Sequence, residues 1–237
     1  MKKLILILMV VAILVSACGK EEVSKKTAVA GPSVNEIELP AGQIPGKAPT
    51  AVLPSLVKIL VDKAGSVTSL DYSHNEFDKG GAGYYMHAYV KGDKMKQVFT
   101  AKSGEFAAGT YYDTVYLDLA AKTVEAYCED ERCTDRNAKV ASMYADFVTE
   151  TPFTVLANLK SGTDKGTVMF DNRETRMYEY EDNGVVVDVY IWTYKGIPLK
   201  YERYKDGELT KKVEYMNLLI NTVKDSDLVH QQLQNLK

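Results

Sequence analysis

The sequence predicts an α+β domain built on one large, curved antiparallel sheet. Three observations predict it. Apolar and polar residues alternate through roughly ten short segments after residue 65. Consecutive segments are joined by tight turns of the Asn-Gly and Asp-Gly type, which fold a strand back beside its neighbour. Only short stretches show helical spacing, and no strand–helix–strand alternation occurs, so a parallel sheet is not expected.

The chain opens with Lys2 and Lys3, an apolar run over residues 4–15, and the exit Ser16-Ala17-Cys18. This is the layout of a secretory signal, and the run is shorter than the roughly 20 residues a spanning helix requires. The sequence Val15-Ser16-Ala17-Cys18 resembles the lipobox of prokaryotic lipoproteins. By that resemblance residues 1–17 are a signal peptide, and Cys18 becomes the lipidated first residue, carrying diacylglycerol with or without a further acyl chain such as palmitate. A single acyl chain anchors only marginally, so two or three chains would hold the protein on a bilayer. Residues 18–50 hold four of the seven prolines, Pro32, Pro40, Pro45 and Pro49, and show no apolar periodicity, so they read as a tether.

A single domain is expected over residues 51–237. Leu53, Leu56, Val57 and Leu60 follow helical spacing, with Pro54 in the first turn and Gly65 as the stop. Residues 66–72 read as a strand and residues 78–83 as a glycine-rich turn. Strands over 84–90 and 94–100 flank Lys91-Gly92-Asp93, and a second pair covers 113–119 and 122–128. Residues 143–147 form a short helix or an irregular stretch. Thr151-Pro152 is a helix cap followed by a first-turn proline, and that helix runs towards Gly162. Strands over 166–170, 173–181, 185–194, 197–204 and 209–223 follow, turning at Asn183-Gly184 and Asp206-Gly207. Ser226 caps an expected last helix bearing Leu228, Val229, Leu233 and Leu236.

The composition is globular: 237 residues, 46% hydrophobic and 26% charged. A net charge of −3 gives no basic bias, so nucleic acid is not an expected partner. Three histidines and three cysteines are too few for a disulfide scaffold or a multi-metal protein. Cys128 and Cys133 bracket four residues, and in an exported chain a local disulfide is the first choice, with free thiols or a metal or redox pair as alternatives. Neither H-E-x-x-H nor G-x-S-x-G occurs, and the acidic residues around Cys128 lack a calcium-loop pattern. Asp225, Ser226 and His230 fall at one expected helix start, where capping accounts for the first two. No catalytic residue, metal or cofactor is expected, and the protein is not expected to be an enzyme.

The strand faces carry the remaining information. Residues 185–194 are apolar on both faces: Val185, Val187, Val189 and Ile191 on one, Val186, Tyr190, Trp192 and Tyr194 on the other. Such a strand is either covered on both sides or borders a cavity. Sixteen tyrosines fit a half-wet surface or a cavity mouth, and equally the plain preference of aromatic residues for strands.

The helix before SVTSLDY (66–72), the WTYKGIPLKYERY stretch (192–204) and the closing KVEYMNLLIN strand (212–221) together resemble the Lol-type lipoprotein-carrier and lipoprotein-receptor superfamily of the cell envelope. The resemblance implies an incomplete, half-open barrel wrapped round helices that act as a lid, with an apolar interior for acyl chains, lipids or lipoproteins. It implies no catalytic group. The carrier's early-strand arginine latch does not transfer, because the first arginine here is Arg132. The expected protein is therefore extracytoplasmic, anchored through Cys18 to the cell membrane or outer membrane. Val98, Val186, Tyr190, Trp192 and Leu219 are its expected cavity lining. The competing expectation is a structural or interaction lipoprotein with no small ligand.

Overall fold

The computed structural model describes residues 52–79, 83–99 and 111–233. The signal segment, Cys18, the tether and Leu236 lie outside them. The described chain forms one open antiparallel sheet of eleven strands. Helix α1 is Ser55–Ala64, followed by β1 (Ser69–Asp78), β2 (Gly83–Lys91), β3 (Lys94–Phe99), β4 (Thr114–Asp118), β5 (Thr123–Tyr127) and β6 (Lys139–Val140). A 3₁₀ turn, Tyr144–Asp146, leads to helix α2 (Pro152–Ala157). Strands β7 (Gly162–Phe170), β8 (Arg173–Asp182), β9 (Val185–Trp192), β10 (Pro198–Lys205) and β11 (Glu208–Ile220) complete the sheet, and a 3₁₀ turn at Asp225–Leu228 follows.

The spatial order is β6-β5-β4-β3-β2-β1-β11-β10-β9-β8-β7. Two meanders are thus joined where the first strand pairs with the last, from Leu70↔Ile220 to Asp78↔Lys211. The turns explain the meanders. Asn183 and Gly184 have φ of 54° and 78°, as do Asp206 and Gly207. Positive φ at both central residues matches the twist of the strands they join.

Both helices pack on one face of the sheet, called the inner face below. Val57, Leu60 and Ala64 of α1 and Val155 and Leu156 of α2 share a buried cluster with Leu70, Val189, Ile191, Ile197 and Leu199. The Thr151 hydroxyl accepts the Thr154 amide at 3.2 Å, and the Thr154 hydroxyl accepts the Thr151 amide at 2.8 Å, so the expected cap forms. Gly196 ties α1 to the sheet. It sits at φ 73°, and a Cβ there would lie 1.9 Å from the Leu60 carbonyl oxygen. The Lys63 ammonium donates to the Thr193 carbonyl at 2.9 Å beside it.

Several boundaries differ from the sequence reading. Strand β1 starts at Ser69 and runs on to Asp78, because Asn221 takes the Thr68 amide and because the polar residues His74 and Glu76 face the interior. Strand β7 starts at Gly162, the expected helix stop, and carries a bulge between Asp164 and Gly166. Leu53 precedes α1 and Leu56 faces solvent at 48% exposure, so of the four expected positions Leu53, Val57 and Leu60 turn towards the core. The expected last helix is only the 3₁₀ turn, and residues 229–233 run on without helix. Among the described residues no helix is long and apolar enough to cross a membrane.

Candidate functional site

Antiparallel pairing fixes the face of every strand residue, because directly opposed residues point the same way. On the inner face, aromatic side chains from seven places in the chain touch in sequence. Tyr201 meets Tyr215 with ring centres 6.5 Å apart, Tyr215 meets Tyr72 at 5.4 Å and His74 at 5.7 Å, and His74 meets Tyr84 at 6.3 Å. The series continues through Tyr84–Phe99 at 5.7 Å, Phe99–Tyr112 at 6.0 Å and Tyr112–Phe147 at 5.2 Å. Edge-on packing of this kind holds large apolar rings firmly while leaving their polar tips to find partners.

The polar tips divide into two groups. One group is satisfied. Glu150, buried just before α2, accepts the Tyr201 hydroxyl and an Arg203 Nη2 donor at 2.7 Å, and its carbonyl accepts the Tyr215 hydroxyl at 2.8 Å. Burial, reinforced by the Glu150 charge, pushes the Tyr201 phenol well above its ordinary range. Glu76 faces the His74 Nε2 at 3.2 Å and the Lys211 ammonium at 2.7 Å. Burial alone would raise the Glu76 carboxyl; the His74 hydrogen bond and the Lys211 charge overcome it and bring the group down to about 2.

The other group is unsatisfied. The Tyr72 hydroxyl, His74 Nδ1, Gln97 Oε1 and Arg203 Nε are buried without a hydrogen-bond partner. Tyr72, His74 and Gln97 are each 0% exposed. Buried polar atoms almost always find a partner, and each orphan costs about 1–3 kcal/mol. All four lie on the inner face, along the aromatic series. Beneath α1 the same face is closed by Val57, Leu60, Leu70, Ile191 and Leu199, all 5% exposed or less.

The five residues expected to line a cavity stand elsewhere. Val98, Val186, Tyr190, Trp192 and Leu219 are on the outer face, opposite Gln97, Val187, Val189, Ile191 and Leu218. Val186 and Leu219 are 37% and 53% exposed. Tyr190 lies under the Lys200 ammonium at 3.8 Å and donates to Glu202 at 3.1 Å, and Trp192 lies under the Arg173 guanidinium at 4.8 Å. Where both faces of a strand are apolar, alternation cannot say which one the helices cover. The signal that could have found the inner face is the pair His74 and Glu76, two polar residues in step with Leu70 and Tyr72.

Cys128 and Cys133 form a disulfide with Cα atoms 5.9 Å apart, a normal span for such a bond. The buried Asp113 carboxylate holds the loop between them by accepting the Glu129 and Asp130 amides at 2.9 and 2.8 Å. Asp113 and the two sulfurs are the one close group of acid, thiol or imidazole side chains with metal-ligand spacing among the described residues, and the disulfide occupies both sulfurs. His74, His87 and His230 lie in three separate settings, beside Glu76, Asp71 and Glu129.

No protein-family model matches the chain, and no curated protein matches it. Among solved structures the fold is similar to that of MucB, with a TM-score of 0.47 and 11% identity over 76% of this chain. The match covers 65% of the MucB chain, less than two-thirds of its length. The Mycobacterium tuberculosis lipoprotein LppX is similar at a TM-score of 0.42 and 9% identity, over 72% of this chain and 96% of that one. A LolA superfamily protein from Nitrosomonas europaea is similar at 0.30 and 9%, over 73% and 97%. These are likenesses of chain path at very low identity.

Proposed function

We propose that this protein is a lipid-anchored, extracytoplasmic binding protein. Its inner face takes an amphiphile, an acyl chain or lipid with a hydrogen-bonding head, borne free or on a lipoprotein. The observation that carries the reading is the set of orphaned polar atoms at Tyr72, His74, Gln97 and Arg203 along an aromatic wall. Apolar rings suit the body of such a ligand, at about 25 cal/mol for each Å² removed from water. The orphaned donors and acceptors suit its head. The open sheet serves as a half-barrel and α1 and α2 as its cover. The lipobox at residues 15–18 supports export and anchoring through Cys18, with residues 18–50 as the tether. No catalytic step is invoked.

A second reading, a surface lipoprotein without a small ligand, draws on the solid packing beneath α1. One experiment separates the two. The Cys18→Ser full-length chain is purified without its anchor, extracted with organic solvent, and the extract is examined by mass spectrometry. Binding of a fluorescent fatty acid is titrated in parallel. A co-extracted amphiphile, or saturable binding weakened in Tyr72→Ala, supports the inner-face site. An empty extract together with no saturable binding rejects it in favour of the second reading.

A further inference from the structure

The outer face carries a separate arrangement at the far end of the sheet. There the 3₁₀ turn Asp225–Leu228 packs against β2 and β3, and the chain after it reaches Tyr116 of β4 and Tyr127 of β5 as a strap. It borders a partly open cavity of about 300 Å³ whose lining includes Tyr89, Lys96, Tyr116, Glu129, Val229 and Leu233. The strap is held chiefly by residues 127–137. The His230 ring stacks on Tyr127 at 3.8 Å and 6°. Asn137 grips the strap twice, donating through Nδ2 to the Leu233 carbonyl at 2.8 Å and accepting the Leu233 amide on Oδ1 at 2.8 Å. That reciprocal pair fixes which end of the Asn137 amide is oxygen.

The consequence falls on His230. Its Nδ1 faces Glu129 Oε1 at 2.7 Å, and its Nε2 faces the same Asn137 Oδ1 at 3.2 Å. Both partners are acceptors. A neutral imidazole has one N–H and one lone pair, so it satisfies only one of them and sets a lone pair against the other oxygen. The imidazolium, with two N–H groups, satisfies both. We propose that the strap is a proton-dependent latch: protonated His230 clamps it to Glu129 and Asn137, and loss of that proton frees it and uncovers the Tyr89–Lys96–Tyr116 cavity.

The charged surroundings agree with a cation at this position. Glu129 faces the ring from the disulfide loop, and Glu125 faces it from β5. Lys139 pairs with Glu125, and Lys96 lies 3.6 Å from the far oxygen of Glu129, so each acid is partly offset. Tyr116 donates to Glu129 at 2.8 Å, Arg136 donates to the Glu129 carbonyl, and Asp227 lies in the 3₁₀ turn that leads into the strap. The Cys128–Cys133 bond and the Asp113 carboxylate hold Glu129 in place.

Hydrogen exchange of the Leu233 amide in the full-length chain tests the latch. It is read at about pH 5.5 and about pH 8, either side of the ordinary imidazole range, and corrected for intrinsic rate. Protection is expected to fall on the order of tenfold as pH rises, the factor lost with one charge-assisted hydrogen bond. In His230→Phe, which keeps the stacking ring, the pH dependence is expected to vanish. Equal protection at both pH values, or a fall that survives in His230→Phe, overturns the proposal. Should that variant not fold, imidazole nitrogen NMR of the unaltered chain decides. Two ring N–H signals at about pH 5.5 support the latch, and a single neutral tautomer there sinks it.

Discussion

The two faces of this sheet use the same aromatic residues in opposite ways. On the inner face Tyr72, Tyr201 and Tyr215 are buried, with Tyr215 meeting Tyr72 edge-on and Tyr201 at a tilt. On the outer face Tyr190, Trp192 and Phe77 lie beneath cations: Lys200 at 3.8 Å, Arg173 at 4.8 Å and Lys212 at 4.4 Å. The cationic stems cover the ring faces while the charges stay near water. A strand can therefore look greasy on both sides and still have only one side in the core. For β9 the difference lies in what the neighbours provide, helices on one face and long cationic side chains on the other.

The largest effect is expected at Gly196, where α1 meets the inner face. A Gly196→Ala change forces positive φ on a side chain and drives its Cβ against the Leu60 carbonyl. The expected cost is about 4 kcal/mol of unfolding free energy in urea, combining backbone strain with displacement of α1. A loss below about 1 kcal/mol would mean that α1 is only loosely seated on the inner face. Next comes a matched pair on one strand. Ile191→Ala, at a fully buried inner position, is expected to cost about 3 kcal/mol, and Val186→Ala on the outer face about 0.5. Equal costs would erase the distinction between the faces.

Two carboxylates sharpen it through pH. Glu76, inner, is held down to about 2. As pH falls below the ordinary range of about 4.3, the unfolded chain takes up a proton that the native chain refuses. The stability this carboxylate contributes is therefore complete above that range and drains away towards pH 2, by about 2 kcal/mol. In Glu76→Gln that portion of the acid dependence should be missing. Asp188, outer, is shifted the other way, raised by burial and by the facing Glu179 and Glu202 carboxylates. Here the native chain holds its proton more readily than the unfolded one, so stability falls as pH rises through the raised value. Asp188→Asn is expected to gain about 0.5–1 kcal/mol at pH 7, and the gain should fade as Asp188 protonates in acid. A melting series from about pH 3 to pH 7 reads both effects, and a neutral or destabilised Asp188→Asn would show that the outer row of acids is already well compensated.

The meanders and the α1 stripe were readable because local chemistry sets them. Asn183-Gly184 and Asp206-Gly207 supply positive φ whatever surrounds them, and Val57, Leu60 and Ala64 fall in helical step. The end of the chain was not readable in the same way. Leu228, Val229 and Leu233 keep helical spacing, yet Glu129 and Asn137, about a hundred positions earlier, pull His230 and Leu233 into an extended path. The inner wall stayed hidden for a related reason. His74 and Gln97 are polar residues set in step with apolar ones, and the pairing of β1, β2 and β3 shows that this step is the one turned inward. Two-residue β6 has too little pattern to be noticed at all.

That smallest strand has a consequence of its own. An unclosed sheet exposes two raw margins to any identical molecule nearby. Here one margin is only Lys139–Val140, and the other is broken by the kink at Gly166 and studded with Asp164 and Lys165. Among the described residues neither margin is a straight, unbroken run of free amides and carbonyls along its whole length, which makes each a poor template for a second copy.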